Sequence, residues 1–344
     1  MSHSPQGSTR QLKPEDLERV IEIDRRITGR SRAAFFKKRL QAALADVRHF
    51  IAMAAETDGT LTGFAIARLQ DGEFGVARRV ATLDVVGVDP DCQNRGQGSL
   101  LLRQITDVMR KLDVHELHTQ VGWHETGLTR FFAASGFSLA PRAILERSTA
   151  RRAWDRNEAQ GADTADQEAG FDDGAAQLDA GVPDYSYPPG SGIADLAADK
   201  VLVRSLTADD LAAVVRIDRK LVGRDRAAFF DAKLNEVLNE SGIRVSLTAE
   251  ANNQPVGFIM ARVDYGEYGR AETAAVLDVI GVEPDFGHQG VGRALLSQLV
   301  MNLSTLRVET LRTAALWNNF GLLGFLDRAG FAPSQQLFLS KAID

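Results

Sequence analysis

Apolar and polar residues follow the same order twice along the chain, and the pattern predicts the same elements in each copy. Apolar residues at helical spacing, preceded by an acidic capping segment, indicate a first helix, which a second helix follows after a glycine. Two strands of a hairpin come next, and then an apolar strand that ends at a proline. The first copy has a helix at 17–27, hairpin strands at 50–54 and 61–69 and an apolar strand at 81–88; counterparts lie at 211–221, 245–249 and 255–263.

A helix, a strand, a second helix and a closing strand complete each copy. In the first copy they are predicted at 99–112, 115–121, 126–134 and 137–146. The predicted order in each copy is therefore two helices, antiparallel strands, and then a strand, a loop, a helix, a strand, a helix and a strand.

The two copies are related by a constant offset of 194 residues. Of the sixteen positions from 83 to 98, nine are identical to those from 277 to 292. The offset also relates Trp123 to Trp317, both of which we expect to pack in the interior. Because solenoid repeats are typically about 20 to 50 residues long, a period of this length indicates two whole domains, which could pack together as an internal pseudo-dimer.

An acidic segment separates the two copies. Residues 157–199 contain ten acidic residues and no basic one, and they are rich in Ala, Gly, Gln and Pro. Such a segment buries too little apolar surface to offset its ordering entropy, so we predict a disordered tether, with partner mimicry as the alternative. The predicted division is a flexible N-terminus at 1–10, domains at 11–150 and 201–344, and a linker at 151–200.

Charge and hydropathy limit the classes of protein. Hydrophobic residues make up 44% of the chain, the net charge is −6, and no apolar run reaches the roughly 18 residues of a membrane span. The N-terminus lacks a secretory core, and the single Cys92 excludes an internal disulfide, so a cytoplasmic location is expected. Neither copy is basic enough to favour nucleic acid, and His115 and His118 would lie on opposite faces of a strand, so no metal site is predicted.

A glycine loop follows the apolar strand in both copies. Where such a loop opens a helix, backbone amides and the positive end of the helix dipole converge and favour a bound phosphate. The spacing is neither a Walker loop nor the three-glycine dinucleotide fingerprint. The sequences are Gln93-Asn94-Arg95-Gly96-Gln97-Gly98 and Gly287-His288-Gln289-Gly290-Val291-Gly292.

This loop and its surroundings resemble the GCN5-related N-acetyltransferase (GNAT) family, whose acyl-CoA loop reads Gln/Arg-x-x-Gly-x-Gly/Ala after a strand ending in Val-x-Pro. The first copy fits fully after Val88-Asp89-Pro90, and the second departs only at Gly287. The family's Gly-Phe after its last helix also recurs, at Gly136 and Gly330. The resemblance covers about 290 of the 344 residues. It implies an α/β fold of two domains, each a mixed, mostly antiparallel sheet flanked by helices.

The resemblance implies acetyl-CoA, or another acyl-CoA, as co-substrate and no metal. It places the pantetheine arm on the backbone of a strand that splays from its neighbour, and the pyrophosphate on the loop amides. An Asn in the late helix commonly makes a further contact in the family; that position holds Asn319 in the second copy and Glu125 in the first. The implied cofactor-binding residues are Val86, Gly87, Val88, Gln93, Arg95, Gly96, Gln97, Gly98 and Ser99, with Ile280, Gly281, Val282, Gln289, Gly290, Val291, Gly292, Arg293 and Asn319.

The catalytic candidates are carboxylates, because transfer to an amine needs a group that removes its proton. Asp84 and Asp278 interrupt the apolar strand, where regular alternation would place Asp84 on the same face as Val86 and Val88. A carboxylate there is either a base or half of an ion pair with an Arg of the helical segment. Glu73 and Glu267, just before that strand, are the second candidates, with a solvated turn as their alternative. The Tyr that often protonates the thiolate in the family is replaced by Phe132 and Leu326.

An Asp-Arg block is the other repeated feature. Asp24-Arg25 followed by Gly29-Arg30-x-Arg32 recurs as Asp218-Arg219 followed by Gly223-Arg224-x-Arg226. The resemblance places the block beside the acceptor site. Guanidinium groups suit a carboxylate on the acceptor, while an ion-pair cluster that fixes the helix turn is the alternative.

Together these features indicate an acyl-CoA-dependent N-acyltransferase that moves an acetyl group to a primary amine of a small molecule or a protein lysine. No nucleic-acid or membrane partner is expected. The alternative is an acyl-CoA-binding sensor or regulatory protein in which one or both copies have lost catalysis, and the two missing Tyr residues favour it.

Overall fold

The structure is a computed structural model that describes residues 7–70, 79–150, 201–235, 243–265 and 273–343. The predicted linker and the candidates Glu73 and Glu267 lie outside these residues. None of the described helices is long and apolar enough to cross a membrane.

The elements follow the predicted order in both copies. The first half contains β1 (Ser8–Gln11), α1 (Leu17–Thr28), α2 (Ala33–Ala45), β2 (Phe50–Thr57), β3 (Thr60–Gln70), β4 (Val80–Val88), α3 (Gln97–Lys111), β5 (Glu116–Gly122), α4 (Thr126–Ala134), β6 (Ser138–Leu139) and β7 (Arg142–Ser148). The second contains β8 (Leu202–Ser205), α5 (Leu211–Val222), α6 (Ala227–Asn235), β9 (Leu247–Ala251), β10 (Gln254–Tyr265), β11 (Thr273–Val282), α7 (Val291–Thr305), β12 (Thr310–Leu316), α8 (Phe320–Arg328), β13 (Ala332–Pro333) and β14 (Gln336–Ala342).

Two strands of the first half differ from the sequence prediction. The strand β1 begins at Ser8, inside the segment predicted to be flexible, and pairs antiparallel with β2. The predicted closing strand at 137–146 is divided into β6 and β7, because the segment turns between them at Ala140 and Pro141. Such short edge strands give little sequence signal.

Within the described residues the strands form two seven-stranded mixed sheets, and each sheet contains a closing strand from the other half. The orders are β1-β2-β3-β4-β5-β14-β6 and β13-β7-β12-β11-β10-β9-β8. Thus β7 pairs antiparallel with β12 over seven residues, and β14 pairs with β5 over seven. The two halves exchange their final strands, which confirms two mixed sheets and adds a connection that the repeat did not predict.

The exchanged strands also complete the hydrophobic cores. Leu339 and Ile343 of the C-terminal segment are buried in the core beneath α3, and Ala143 and Leu145 of β7 are buried in the core beneath α7. At the seam, Phe338 packs with Ala140 and Ile144 in a small cluster contributed by both halves. The cores beneath α3 and α7 therefore each contain side chains from both halves of the chain.

Breaking the chain once between residues 150 and 201 should leave the two halves associated, because two seven-residue strand pairings and their buried side chains still join them. A specific protease site introduced there, followed by cleavage, should give two fragments in denaturing electrophoresis that co-elute as one particle in native size-exclusion chromatography. Separate elution of the fragments without denaturant would contradict the exchange.

Candidate functional site

The site is built where the central strand β4 leaves its parallel neighbour β5. The β4–β5 pairing covers Ala81 and Thr82 only, although β4 continues to Val88. The equivalent pairing of β11 with β12 covers 274–276, although β11 continues to Val282. Beyond these pairs the central strand of each half has no backbone pairing with its parallel neighbour.

A β-bulge at Asp84 lies at the point where β4 diverges. Opposite β3, Val85 pairs with Ile66 and Leu83 pairs with Ala67, so Asp84 is an extra residue on β4. In β11 the same shift leaves Asp278 between Leu277 and Val279. Such an extra residue bends a strand and reverses the faces of the side chains that follow it.

The reversal appears directly in the packing of β4. Leu83, before the bulge, is buried in the core beneath α3, whereas Val85 is buried in the core beneath α1 and α2. Val86 and Val88 then return to the α3 side. The sequence expectation that Asp84 shares a face with Val86 and Val88 is therefore wrong, because it assumed regular alternation through the bulge.

The Asp84 carboxylate is enclosed by two cations. Arg68 of β3 donates from Nε at 2.7 Å and from Nη2 at 2.9 Å to the two carboxylate oxygens, and Arg39 of α2 lies 3.4 Å away. The Asp84 side chain is 0% exposed. This geometry favours the ion-pair interpretation, although the bidentate partner Arg68 lies on a strand and only the more distant Arg39 belongs to the helical segment. A catalytic role for Asp84 stays a prediction.

The second half repeats the cluster with one exchange of cation. Asp278, also with a fully buried side chain, pairs with Arg262 of β10, and Lys233 of α6 lies 3.4 Å from it in the position that corresponds to Arg39. Neither Arg68 nor Arg262 is among the site residues predicted from the sequence. Their identical place in the two copies was the signal that could have found them.

A threonine hydroxyl bridges the strands just beyond the last parallel pair. Thr119 of β5 donates to the carbonyl of Leu83 at 3.1 Å, and Thr313 of β12 donates to that of Leu277 at 2.9 Å. These side chains replace the backbone bond that the divergence removes. Neither threonine was predicted from the sequence as a site residue, although the two are related by the same offset of 194.

Glycine is required in the diverging segment by close packing. A Cβ on Gly87 would lie 2.8 Å from the ring of Phe64, and one on Gly281 would lie 2.7 Å from Phe258. The backbone of these segments therefore lies directly on a buried ring, which supports it from the α1 or α5 side. The sequence-predicted residues Val86, Gly87 and Val88 are all brought to this open strand end.

The glycine loop turns from the strand into a 15-residue helix in each half. Gly96 has φ 79° and precedes α3, and Gly290 has φ 80° and precedes α7. Residues with a side chain rarely adopt this left-handed backbone conformation. The first backbone bond of α3 runs from Leu100 N–H to Gly96 O at 2.9 Å. The preceding amides in the helix therefore have no intrahelical partner and can bind an anion at the positive end of the dipole.

The loop side chains serve the fold and leave the backbone to a ligand. Gln97 is buried and its Nε2 donates to the Thr57 hydroxyl at 3.0 Å. Val291 takes the same place in the second half and is also buried. Gln93 donates to the carbonyl of Val88 at 3.1 Å and so closes the turn between strand and loop.

A buried carboxylate anchors α1 to the beginning of the loop. Asp89 accepts from Arg19 at 2.6 Å and from Arg26 at 2.5 Å, and from the Asp91 N–H at 3.0 Å. Burial by itself raises the pKa of the Asp89 carboxyl, but the Asp91 hydrogen bond and the charges of Arg26 and Arg19 outweigh it and hold the pKa below its usual value.

The second half keeps this anchor with Glu283. Its buried carboxylate pairs with Lys220 and, at 3.2 Å, with Arg216, both on α5. Of these cations only Lys220 corresponds in position to a cation of the first half, Arg26. The connection between helix and loop is therefore retained although its partners have changed.

The turn before each exchanged strand contacts the other half of the chain. The Trp123 N–H donates to Gln335 O at 3.2 Å, and the Trp317 N–H donates to Pro141 O at 3.1 Å. The turn of each half thus contacts the end of a strand of the other half. Trp123 and Trp317 are 62% and 55% exposed, so the expectation that they pack in the interior is wrong. They stand at strand ends, where the chain turns into solvent.

The profile of the Acetyltransferase (GNAT) family matches residues 17–137 and 213–331, each of which holds one divergent strand and one glycine loop. The chain belongs to the GNAT family. No curated protein matches its sequence.

Solved GNAT structures share the fold at low identity. A GNAT from Sphaerobacter thermophilus is 15% identical, with a TM-score of 0.58, over 98% of this chain and 96% of that one. A tandem GNAT protein from the clavulanic acid biosynthesis pathway is 15% identical, with a TM-score of 0.57, over 98% and 99%.

A fungal multi-domain β-N-acetylglucosaminidase with a GCN5-related glucosamine N-acetyltransferase region is 13% identical, with a TM-score of 0.63. The match covers 98% of this chain, which spans only 38% of the fungal chain. At these identities the likeness shows the fold alone.

Two positions singled out from the GNAT resemblance are interior. Phe132 is 2% exposed and packs against Phe137, and Leu326 is 0% exposed. Neither side chain can donate a proton. Asn319 caps α8, with its Oδ1 accepting from Leu322 N–H at 3.0 Å, while Glu125 accepts from Gly122 N–H at 2.8 Å. The two halves therefore present different groups at this turn.

The described residues contain no group of three or more His, Cys, Asp or Glu side chains placed to hold a metal ion. Cys92 is partly exposed in the turn before α3.

Replacing Asp84 by Asn should lower the free energy of unfolding by about 3–5 kcal/mol, because two buried cations lose their counter-charge. Urea unfolding at pH 7 measures the loss. The double variant Asp84→Asn with Arg68→Met should recover part of it, since one of the two cations is also removed. Unchanged stability with strongly reduced turnover would instead support Asp84 as a base.

The low pKa of Asp89 predicts a pH-dependent stability. A depressed pKa stabilises the folded state above the unfolded pKa of about 3.9, and the contribution is lost as pH falls through the lower folded value. The difference in unfolding free energy between the wild type and Asp89→Asn should therefore be present at pH 7 and shrink at pH 3. Asp113→Asn is the control, because its carboxylate is 94% exposed; an equal difference at both pH values would contradict the assignment.

Proposed function

We propose that this GNAT protein is an acyl-CoA-dependent N-acyltransferase that moves an acetyl group from acetyl-CoA to a primary amine. The observation that carries the proposal is the junction, present twice, of a diverging central strand with a left-handed glycine at the N-terminus of a long helix. This junction offers open backbone groups and a positive dipole along one continuous path. CoA has the matching form, a polar arm attached to a pyrophosphate.

The residues fit such a ligand. A Cβ on Gly96 would meet no atom within 4 Å, so the space beside the loop is open. The amides of Arg95 to Ser99, and of Gln289 to Arg293, would hold the pyrophosphate. The backbone of Val86 to Val88, and of Ile280 to Val282, would hold the pantetheine arm. The bound cofactor supplies a thioester whose carbonyl carbon accepts the amine.

The chain's own part in transfer is to orient the amine and to accept its proton. Asp84 and Asp278 are occupied by cations, so Glu73 and Glu267 remain our candidates for the base. The amine proton would go to the base and water would protonate the departing thiolate, since Phe132 and Leu326 carry no proton to donate. The proposed acceptor is a small-molecule amine or a protein lysine.

The second candidate is an acyl-CoA sensor without turnover. The buried Phe132 and Leu326 favour it, because each replaces a proton donor with an apolar core residue. Release of thiol from acetyl-CoA across a panel of primary amines distinguishes the two functions. Turnover with any amine supports the enzyme, and tight binding of CoA without turnover on all of them supports the sensor.

Replacing Gly96 or Gly290 by Trp should abolish CoA binding in that half only. A side chain at φ near 80° strains the turn and moves the amides away from the phosphate. Isothermal titration calorimetry should show two CoA sites in the wild type, one in each single variant and none in the double variant. Unchanged stoichiometry in the variants would exclude the glycine loops as the CoA sites.

A further inference from the structure

Most of the repeated Asp-Arg block has a structural role. Asp24 is buried and accepts from Arg32 Nε at 2.9 Å, and Asp218 accepts from Arg226 Nε at 2.8 Å. Each paired guanidinium also lies over a phenylalanine ring, with Arg32 5.5 Å from the centre of Phe36. These pairs fix the turn between the first two helices, as the ion-pair interpretation of the block expected.

Arg25 and Arg30 of the first copy are not used in this way, and in the second copy Arg224 is not, because Arg219 pairs with Asp225. Arg30 and Arg224 are exposed, and their guanidinium groups have no hydrogen bond or ion pair with any other described residue. Each directly follows a left-handed glycine, with Gly29 at φ 71° and Gly223 at φ 69°. The turn therefore presents the same cation to solvent in both halves.

The surrounding exposed positions have diverged. Glu22 corresponds to Arg216, Thr28 to Val222 and Ser31 to Asp225. A fold requirement accounts for the buried Asp and its paired Arg. It does not account for an arginine whose guanidinium has no hydrogen bond or ion pair with another described residue. Retention of Arg30 and Arg224 beside such changes points to a ligand that both halves share.

The turn lies beside the open strand end. The Cδ1 atom of Ile27 is 3.3 Å from where a Cβ on Gly87 would be, and Leu221 Cδ1 is 3.3 Å from the same point on Gly281. The ends of α1 and α5 thus cover the diverging segments on the side opposite α3 and α7. Arg30 stands three residues beyond Ile27 along the chain.

We propose that Arg30 and Arg224 bind an acid group of the acceptor, so that the substrates are amines that also carry a carboxylate. The inference rests on the proposed transfer reaction and names its substrate class. A guanidinium pairs with a carboxylate through two parallel hydrogen bonds, which would fix one end of the acceptor while its amine reaches the strand opening. Since both arginines are exposed, added salt should weaken this preference.

A matched pair of amines tests the proposal. 5-Aminopentanoate and pentylamine have the same amine and chain length and differ in a terminal carboxylate or methyl group. The ratio of their kcat/KM values should favour 5-aminopentanoate by about tenfold or more, through KM. The double variant Arg30→Gln/Arg224→Gln should lose this preference and keep its rate with pentylamine. ω-Amino acids of other lengths should show an optimum set by the distance from the turn to the opening.

The control variant is Arg328→Gln, which removes an exposed arginine at the end of α8 and should leave the ratio unchanged. Calorimetric binding of 5-aminopentanoate to the CoA-loaded protein gives a readout that needs no turnover. If no amine is acetylated, the proposed transfer fails, while binding that is lost in the double variant still supports the acid site.

Three results would overturn the inference. The first is a preference for 5-aminopentanoate that persists in the double variant. The second is no preference in the wild type together with equal binding of both amines. The third is a double variant whose CoA affinity falls while its acceptor selectivity is retained, which would assign the arginines to a phosphate of the cofactor.

Discussion

The rest of each half depends on a buried carboxylate at the extra residue of its central strand. Asp84 and Asp278 occupy β-bulges, and each is held by an arginine of the neighbouring strand and a cation of the second helix. A charge buried this deeply is tolerated only because it is paired, and the pairing in turn ties the bulge to the helical layer. The bulge reverses the faces of the strand beyond it.

The separation of β4 from β5 follows from this arrangement. Backbone pairing ends at Thr82, a threonine hydroxyl bridges the next carbonyl, and the remaining strand is left open beside the helix that begins after Gly96. Backbone amides and carbonyls that lose their strand pairing need other partners. Here the diverging segment leads to a helix N-terminus, whose amides suit the phosphate of the proposed ligand.

The exchange of final strands makes the two halves one folding unit. The carbonyls of Gln335 and Pro141 accept from Trp123 and Trp317 at the ends of β5 and β12, so each sheet is bordered there by the other copy. Differences between the copies therefore need not stay within one half. Glu125 and Asn319 give the turns after β5 and β12 a different charge, while Arg30 and Arg224 are the same in both halves.

The sequence by itself determined the repeated order of elements, the mixed sheets and the glycine loops. These rest on local signals: hydrophobic period, turn residues and the chemistry of Gly96 and Gly290. Only the tertiary structure decided which strands pair, because β7 and β14 have the same pattern whichever sheet they join. It also decided the orientation of Asp84, since a bulge shifts the alternation without changing the sequence pattern. Ion pairs such as Asp84 with Arg68 join residues distant along the chain, and local periodicity carries no information about them.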